Sequence, residues 1–196
     1  ILGVGIGAAT SKAETPKSAT KFTCFAEDVK RELLPGKSIP EAIKRIQKDI
    51  PLKIRLNDAQ LCNKDLQKAL LARKGLIDIQ FGEEKLSEMA LWACLKPLKT
   101  RLCGLDLSFR ANDLGLDHVS GLKNLEVLDL SFSGVSNADL TQLRHLKNLV
   151  HLNLGDTSIS DSGLRQLKGL TKLVRLDLGN TTIGDDGLRH LTELQN

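Results

Sequence analysis

Residues 125–194 decide the fold, because they consist of three segments that superpose without a gap. The segments are LEVLDLSFSGVSNADLTQLRHLKN from Leu125, LVHLNLGDTSISDSGLRQLKGLTK from Leu149 and LVRLDLGNTTIGDDGLRHLTEL from Leu173. Self-similarity at a fixed period of 24 residues predicts a solenoid of stacked structural units.

Each unit combines two hydrophobic periodicities. The opening Leu-x-Leu alternates apolar and polar residues, which predicts a short strand with one buried face. Leucines then recur at every third position, which predicts a short α-helix or 3₁₀-helix with one apolar stripe. These leucines are Leu140, Leu143 and Leu146 in one unit and Leu164, Leu167 and Leu170 in the next. A single unit cannot bury either face alone, so neighbouring units are expected to stack into a continuous core.

Three further copies lie upstream. LCGLDLSFRANDLGLDHVSGLKN from Leu102 fits after a one-residue deletion, and two divergent copies are centred on Ile54-Arg55-Leu56 and Ile77-Asp78-Ile79. About six strands are therefore expected, one in each unit. A row of residues that favour helix N-caps lies between strand and helix in five units: Asn63, Asp113, Asn137, Asp161 and Asp185. These side chains are predicted to accept hydrogen bonds from the first helical turn.

The tails of two units follow the pattern T-x-I-x-D-x-G-L, from Thr157 to Leu164 and from Thr181 to Leu188. This pattern, the period and the Leu-x-Leu strand resemble bacterial leucine-rich repeats, including the 24-residue type known as GALA repeats. The resemblance covers residues 102–196 closely and residues 52–101 loosely. It implies an α/β solenoid, a right-handed β-α horseshoe with a parallel sheet on its concave face. The asparagine usual in the turn of that motif is replaced by Arg110, Ser133, Thr157 and Thr181, and a threonine hydroxyl can still bond neighbouring backbone.

The sequence divides into three parts. Residues 52–196 are the repeats, and residues 22–51 are predicted to form a helical amino-terminal cap. Ser38-Ile39-Pro40-Glu41 is a capping box, and Ile39, Ile43, Ile46 and Ile50 follow at helical spacing before Pro51. A separate helical module is the alternative interpretation of residues 22–51.

Residues 1–21 begin with an apolar run, Ile1 to Thr10, which is typical of the end of a secretory signal. Export to the cell surface, the periplasm or the medium is therefore expected, and a Gly/Ala-rich leader on a cytoplasmic protein is the alternative. By the 24-residue rule a further leucine is expected after Asn196, which predicts either a longer parent chain or a partner that covers that end.

Composition excludes several classes of function. Only 3% of the residues are aromatic, which argues against the stacking platforms of single-stranded nucleic acid binders. Residues 1–100 carry 18 Lys and Arg against 12 Asp and Glu, whereas residues 101–196 carry 10 against 12. No basic run is long enough to follow a phosphate backbone, and no apolar run is long enough to span a bilayer. Neither nucleic acid nor a membrane is an expected partner.

No enzyme, metal or cofactor motif emerges from the sequence. The four histidines, His118, His145, His151 and His190, have no spacing typical of metal ligands, and no phosphate loop or nucleophile elbow is present. The four cysteines, Cys24, Cys62, Cys94 and Cys103, lack a C-x-x-C pair. Two interpretations of them stay open: disulfides that hold the amino-terminal half, or buried thiols.

Candidate contact residues are the side chains that face solvent from the strands, because stacking turns one position into a row. The interior residue of each Leu-x-Leu belongs to a predicted acidic row: Arg55, Asp78, Asp106, Asp129, Asn153 and Asp177. Beside this row lie His151 and Arg175, and Phe109 and Phe132 follow as candidate apolar anchors. A groove for a basic or amide-rich protein segment is the functional interpretation, and an acidic row that only keeps the sheet soluble is the alternative.

The function predicted from these features is that of a protein-interaction scaffold that binds on its concave face, without catalysis. Two alternatives follow from the resemblance to leucine-rich repeats. One is the substrate-recruiting arm of a ubiquitin-ligase type of bacterial effector, since GALA repeats occur together with F-boxes. The segment Arg31-Glu32-Leu33-Leu34-Pro35 weakly resembles the leucine-proline motif of an F-box. The other is a structural array on the cell surface. The oligomeric state is not predicted.

Overall fold

The computed structural model describes residues 52–56, 58–81, 88–109 and 116–194. Outside these residues lie the predicted leader, the predicted helical cap and, within the cap, the segment that resembles an F-box motif. Arg110 and Asp113 lie outside them as well. The described residues form an α/β leucine-rich-repeat solenoid, which confirms the predicted fold class.

Six strands form one parallel sheet in which every strand pairs only with its neighbours in sequence. Their bounds are Leu52–Leu56 (β1), Ile77–Phe81 (β2), Leu102–Asp106 (β3), Val127–Asp129 (β4), His151–Asn153 (β5) and Arg175–Asp177 (β6). The order β1-β2-β3-β4-β5-β6 means that the chain advances by one strand in each repeat. The predicted number of strands is confirmed.

Short helices form the second layer. The α-helices are Asp58–Leu61 (α1), Lys64–Leu71 (α2), Glu88–Leu95 (α3), Asp161–Leu164 (α4) and Asp185–Leu188 (α5). The 3₁₀ segments are Lys96–Leu98, Leu116–Gly121, Asp139–His145, Arg165–Leu167 and Arg189–Leu191. Because a 3₁₀-helix has three residues per turn, leucines at every third position fall on one face and point at the sheet.

The core lies between the two layers. Leu128 and Leu152 enter it from the strands, and Leu143 and Leu167 enter it from the helices. All four are almost completely buried, and the burial of one leucine contributes about 1.5–3 kcal/mol. The equivalent residues of the last described repeat, Leu176, Leu178, Ile183, Leu191 and Leu194, pack against the same core but are only partly buried.

The predicted row of N-caps is wrong at Asn137 and Asp161, whose side chains reach into the following repeat instead, and at Asp185, where Gly184 holds the N-cap position. Asn63 does cap its own helix, since its Oδ1 accepts from the backbone N–H of Asp65 and Leu66, both at 3.0 Å. Asn137 Oδ1, however, accepts from the N–H of Ser160 at 3.0 Å, and Asp161 Oδ1 accepts from the N–H of Gly184 at 2.7 Å.

These inter-repeat hydrogen bonds, which we call the lateral ladder, explain the glycines that lie two residues after Asp161 and Asp185. A Cβ atom on Gly163 would overlap the Asn137 side chain, and a Cβ atom on Gly187 would overlap the Asp161 side chain. Each ladder side chain therefore occupies the space that the glycine of the next repeat leaves open. The D-x-G element of the repeat is a contact between two repeats rather than a local cap.

The hydroxyl residues that replace the usual asparagine bond their own repeat. Thr157 Oγ1 donates to the carbonyl of Leu154 at 2.6 Å, and Thr181 Oγ1 donates to the carbonyl of Leu178 at 2.6 Å. The Ser133 hydroxyl makes the same contact with Leu130. The predicted bond from a hydroxyl to neighbouring backbone is confirmed at these three positions.

The alignment of the second divergent repeat is wrong by two residues. Ile79 pairs with both Ile54 and Leu105, so Ile79-Gln80-Phe81 is the Leu-x-Leu element of this repeat rather than Ile77-Asp78-Ile79. Strand β2 buries Ile77, Ile79 and Phe81, so the pattern fits it at two positions and sequence alone does not choose between them. The pairing also shifts by one residue between Ile77 and Asp78, which pair with Leu102 and Gly104.

Disulfide bonds fasten the divergent repeats. Cys62, just after α1, is bonded to Cys94 in α3 of the next repeat, 32 residues later. Cys103 is disulfide-bonded as well. Of the two interpretations of the cysteines, the structure favours the disulfides over buried thiols.

Candidate interaction surface

The face of the sheet opposite the helical layer, which we call the open face, presents side chains in register. Strand pairing aligns one residue from each of the regular repeats in a middle row: Asp106, Asp129, Asn153 and Asp177. Pairing also aligns a leading row: Gly104, Val127, His151 and Arg175. Because neighbouring strands lie about 4.8 Å apart, each row brings the side chains of consecutive repeats into one continuous strip.

Each middle-row side chain accepts a hydrogen bond from the backbone N–H group two residues later, just after the strand ends. Asp106 Oδ1 accepts from the N–H of Ser108 at 3.0 Å and from its hydroxyl at 2.6 Å. Asp129 makes the same pair of hydrogen bonds with Ser131, at 2.9 Å and 2.6 Å. One oxygen of each carboxylate is therefore held by the fold, which limits the rotation of the whole group.

Asparagine performs the same backbone task as aspartate in this row. Asn153 Oδ1 accepts from the N–H of Gly155 at 3.1 Å, and Asp177 Oδ1 accepts from the N–H of Gly179 at 3.0 Å. The amide nitrogen of Asn153 also donates to Asp129 Oδ2 at 3.1 Å, which relieves the repulsion between neighbouring like charges. Neither interpretation of the row, as a partner groove or as a solubilising surface, included this bonding of backbone N–H groups.

Asp78 does not belong to the middle row, contrary to the sequence alignment. It pairs with Gly104 and therefore lies in line with the leading row, where its side chain fills the space above that glycine. It is 5% exposed and lies 3.4 Å from the Lys53 ammonium group. Burial raises the pKa of the Asp78 carboxyl above its ordinary value, and the charge of Lys53 opposes this rise. Asp78 is thus a buried ion-pair member rather than a side chain that faces a partner.

The leading row changes from apolar to polar along the sheet. Val127 is half-buried, His151 is half-buried and Arg175 is exposed. Burial, and secondly the neighbouring charge of Arg175, lower the pKa of His151 below its ordinary value of 6.5. His151 is therefore neutral at physiological pH, and the charge that strands β4 to β6 present on the open face comes from the middle row and from Arg175.

A third row, the turn row, follows the strands and consists of Phe109, Phe132, Asp156 and Asn180. The backbone N–H of Phe109, Phe132 and Asp156 donates to the next repeat at 2.8–3.0 Å, so this row continues the register of the sheet. All four residues have a left-handed backbone, with φ values of 60°, 53°, 55° and 54°. Asp and Asn tolerate this conformation, whereas a bulky residue there is strained by about 1–2 kcal/mol.

The two phenylalanines of the turn row are exposed and contact each other. Phe109 is 58% exposed and Phe132 is 48% exposed. Their rings stack with centroids 4.5 Å apart and planes 5° from parallel. The prediction placed these residues on the concave side, and the structure adds their mutual stacking and their strained backbone.

A cavity lies away from the open face, between α3 and the 3₁₀ segment Leu116–Gly121. It has a volume of about 380 Å³, and its walls include Trp92, Leu95 and Leu122, with Lys96 and Lys99 contributing cations. His118 also lines it and lies 5.3 Å from the Trp92 ring, centroid to centroid. Sequence analysis missed this cavity, because it arises where the longer helices of the divergent repeats meet the short helices of the regular ones.

The described residues contain no group of three or more His, Cys, Asp or Glu side chains that could hold a metal ion. Over the same residues, no helix has both the length and the apolar character needed to cross a membrane.

Comparisons with known proteins agree with this geometry. The family model described as "Leucine rich repeat" matches residues 123–183. An internalin from Listeria monocytogenes is similar in structure, with 18% identity, a TM-score of 0.51 and alignment over 81% of this chain and 49% of that one. Internalin C2 from the same organism has 21% identity and a TM-score of 0.52, over 80% of this chain and 72% of that one.

The chain thus spans about half the length of the first of these internalins. No curated protein sequence matches it. At these identities the internalins share the fold, and the family match covers the most regular of the repeats. Together with six parallel strands in sequential order, these findings show that the chain has the fold of a leucine-rich-repeat solenoid.

Proposed function

We propose that this chain is a protein-interaction scaffold that binds an extended segment of another protein along the open face of β3 to β6. The observation that carries the proposal is the middle row, in which four consecutive strands present three carboxylates and one amide, each with one oxygen already held by a backbone N–H. Fixed groups lose little conformational entropy when a partner binds, so their hydrogen bonds contribute more to affinity.

The chemistry of the open face defines the partner. The middle row offers the carboxylates of Asp106, Asp129 and Asp177, and His151 beside it is neutral. Ser108, Ser131, Gly155 and Gly179 follow the strands and are small enough to let a partner backbone approach. A segment rich in Lys, Arg, Asn or Gln fits this surface, because its side chains donate hydrogen bonds to carboxylates.

A variant that removes charge without removing hydrogen bonds tests this proposal. Asn153 already accepts a backbone hydrogen bond from the same position, so the triple variant D106N/D129N/D177N is expected to keep the fold. The intact chain would be immobilised and exposed to a random peptide library displayed on phage. We expect selected peptides to be enriched in Lys, Arg, Asn and Gln, and the triple variant to lose at least tenfold in their recovery.

A matched control places the same change of charge on the helical side, as D117N/D186N/E193Q. These three carboxylates are exposed and lie on helices or in the turn that follows one. We expect this variant to recover the same peptides as the unmodified chain. Equal recovery by both triple variants, or loss only in the control, would show that the open face is not the binding surface.

We further propose that the protein works outside the reducing cytoplasm. The supporting observation is that the described cysteines are all in disulfide bonds, which persist in oxidising compartments and are rare in cytosolic proteins. Protein isolated from its native host and alkylated without reductant should carry no label on Cys62 or Cys94 in its mass spectrum. Full labelling of both would place the protein in a reducing compartment.

A further inference from the structure

The turn row offers a comparison within one molecule between four residues that share a backbone conformation. Asp156 and Asn180 have φ values of 55° and 54°, and their side chains suit this left-handed region. The Asn180 amide also donates to Asp156 Oδ1 at 3.1 Å, so these two residues link their repeats. Polar residues at this turn therefore stabilise the fold in two ways: they tolerate the left-handed backbone, and they form a side-chain hydrogen bond between repeats.

Phe109 and Phe132 have neither of these two properties, the tolerance of a left-handed backbone and the side-chain hydrogen bond. They adopt φ values of 60° and 53°, which a bulky side chain disfavours, and their rings remain about half exposed or more. The other two aromatic residues of the described chain, Phe81 and Trp92, are 5% and 6% exposed and pack in the core. Stacking of the two rings contributes about 0.5–1.5 kcal/mol, which is less than the strain of about 1–2 kcal/mol at each of the two residues, so stability alone does not account for the pair.

Aspartates occupy the positions next to the pair in the middle row and in the turn row. Asp106 and Asp129 occupy the middle row three residues before Phe109 and Phe132, and Asp156 is the next residue of the turn row after Phe132. In the described chain, Asp106 Oδ2 accepts no hydrogen bond. Aromatic faces carry negative electrostatic potential, so both the rings and the carboxylates attract a cation.

Resting on the proposed function, we infer that the Phe109–Phe132 pair, with the carboxylates of Asp106 and Asp129, is the subsite that receives an arginine side chain of the bound segment. Arginine fits better than lysine, because its planar guanidinium group stacks on an aromatic ring while its N–H groups donate to carboxylates. A lysine ammonium satisfies the charge but has no flat surface to stack. The middle row provides attraction for cations in general, and the aromatic pair provides selectivity among them.

Three synthetic peptides test this subsite: Ac-GSRGSRGS-amide, the same sequence with both arginines replaced by lysine, and the same sequence with both replaced by citrulline. Citrulline keeps the planar shape of arginine without its charge. Their dissociation constants for the intact chain would be measured by isothermal titration calorimetry at low salt. We expect the arginine peptide to bind roughly three- to fivefold more tightly than the lysine peptide, and the citrulline peptide to bind most weakly.

The matched variant is F109N/F132N, which installs the residue type that Asn180 already uses at this turn. We expect its melting temperature to rise by a few degrees, because backbone strain is relieved, and its preference for arginine over lysine to disappear. The arginine peptide would then bind about as tightly as the lysine peptide. A folding role for the rings would instead lower the melting temperature, and that result would overturn the argument.

The two proposals fail in distinguishable ways. If the three peptides bind no more weakly to D106N/D129N/D177N than to the unmodified chain, the proposed function fails at the open face. If binding depends on the middle row but arginine and lysine peptides bind equally, the function stands and the arginine subsite is wrong. A preference for arginine that survives F109N/F132N would also overturn the subsite.

Discussion

The divergent repeats (residues 52–101) and the regular repeats (residues 102–194) hold their layers together by different means. The divergent part has five-residue strands, the eight-residue helices α2 and α3 and a disulfide bond between Cys62 and Cys94. The regular part has mainly three-residue strands and four-residue helices, and side-chain hydrogen bonds recur between residues 23 to 25 positions apart.

The two parts differ in this way because the number of residues between equivalent positions is constant only in the regular repeats from β4 onward. A side chain in one repeat finds the same partner in the next only where the spacing between repeats is constant, as it is from β4 to β6. In the divergent part the register shifts between Ile77 and Asp78, and Asn63 at the ladder position caps its own helix. A covalent bond there replaces contacts that the irregular spacing does not allow. Regularity therefore substitutes for cross-linking in this solenoid.

The largest expected effect comes from removal of the covalent link. Replacing both Cys62 and Cys94 with alanine opens a loop closed over 32 residues, and the loop-entropy relation predicts a loss of about 4 kcal/mol. Because repeats contact only their neighbours, the loss should concentrate in β1 and β2. Hydrogen exchange should accelerate at Ile54 and Ile79 and stay unchanged at Leu152 and Leu176. Uniform acceleration across the sheet would show that the two regions are not independent.

A smaller loss of stability is expected when a side chain fills the space that a ladder residue occupies in the regular repeats. In Gly163→Ala the new methyl group overlaps the Asn137 side chain, which should destabilise the fold by about 1–3 kcal/mol in urea unfolding. The Gly121→Ala variant is the control, since a Cβ atom there has no neighbour within 4 Å. It should leave the free energy of unfolding unchanged or raise it slightly.

The double variant N137A/G163A tests whether overlap with the Asn137 side chain causes the loss of stability in Gly163→Ala. Asn137→Ala alone loses two hydrogen bonds with Ser160 and one with Ser162, and it should lower stability by about 1–3 kcal/mol. It also frees the space that the methyl group of the second substitution needs. The double variant should therefore be more stable than the sum of the single effects predicts, by about 0.5–3 kcal/mol. Simple additivity would show that Gly163 is required for another reason.

The smallest effect concerns the buried carboxyl group of the divergent part. Burial raises the pKa of Asp78 above its ordinary value of 3.8, so the folded state takes up a proton more readily than the unfolded state. The contribution of this group to stability is therefore present at acid pH and is lost as the pH rises through the raised pKa. Relative to Asp78→Asn, the unmodified chain should become less stable between pH 3.8 and neutrality.

Urea unfolding of both proteins across this pH range measures the difference. Other carboxyl groups titrate in both chains and cancel in the comparison. A difference that instead grows in favour of the unmodified chain with rising pH would mean that the ion pair with Lys53 outweighs the burial of Asp78.

The leucine pattern predicts most of the fold because it records which side chains turn inward. Leu128, Leu143 and Leu152 are buried where the two periodicities place them, and the parallel sheet follows from their repetition. The position of Asp78 could not be predicted in the same way. Strand β2 has three inward apolar residues instead of two, so the pattern has two equivalent alignments. The pairing of Ile79 with Ile54 and Leu105 decides between them.

The ladder and the turn row show a second limit of sequence analysis. Asn137 and Asp161 are chemically suited to capping, and sequence does not reveal that their partners lie one repeat away. The recurring glycine was the available signal, since a glycine that is not in a left-handed turn indicates a close approach by another group. The left-handed backbone of Phe109 and Phe132 is indicated only by the Asp and Asn residues at equivalent positions.

The lateral ladder also bears on how such an array changes in length. The repeat that begins at Leu149 extends the Asp161 side chain toward Gly187 of its successor and offers Gly163 to Asn137 of its predecessor. A copy of this 24-residue unit therefore carries both halves of the contact, and its deletion would leave Asn137 facing Gly187. Unequal recombination within the gene can then add or remove such a unit without creating an unmatched junction, whereas the repeat from Leu125 has Asp139 in place of the glycine. In the divergent part the disulfide ties together two particular repeats, which prevents the same freedom.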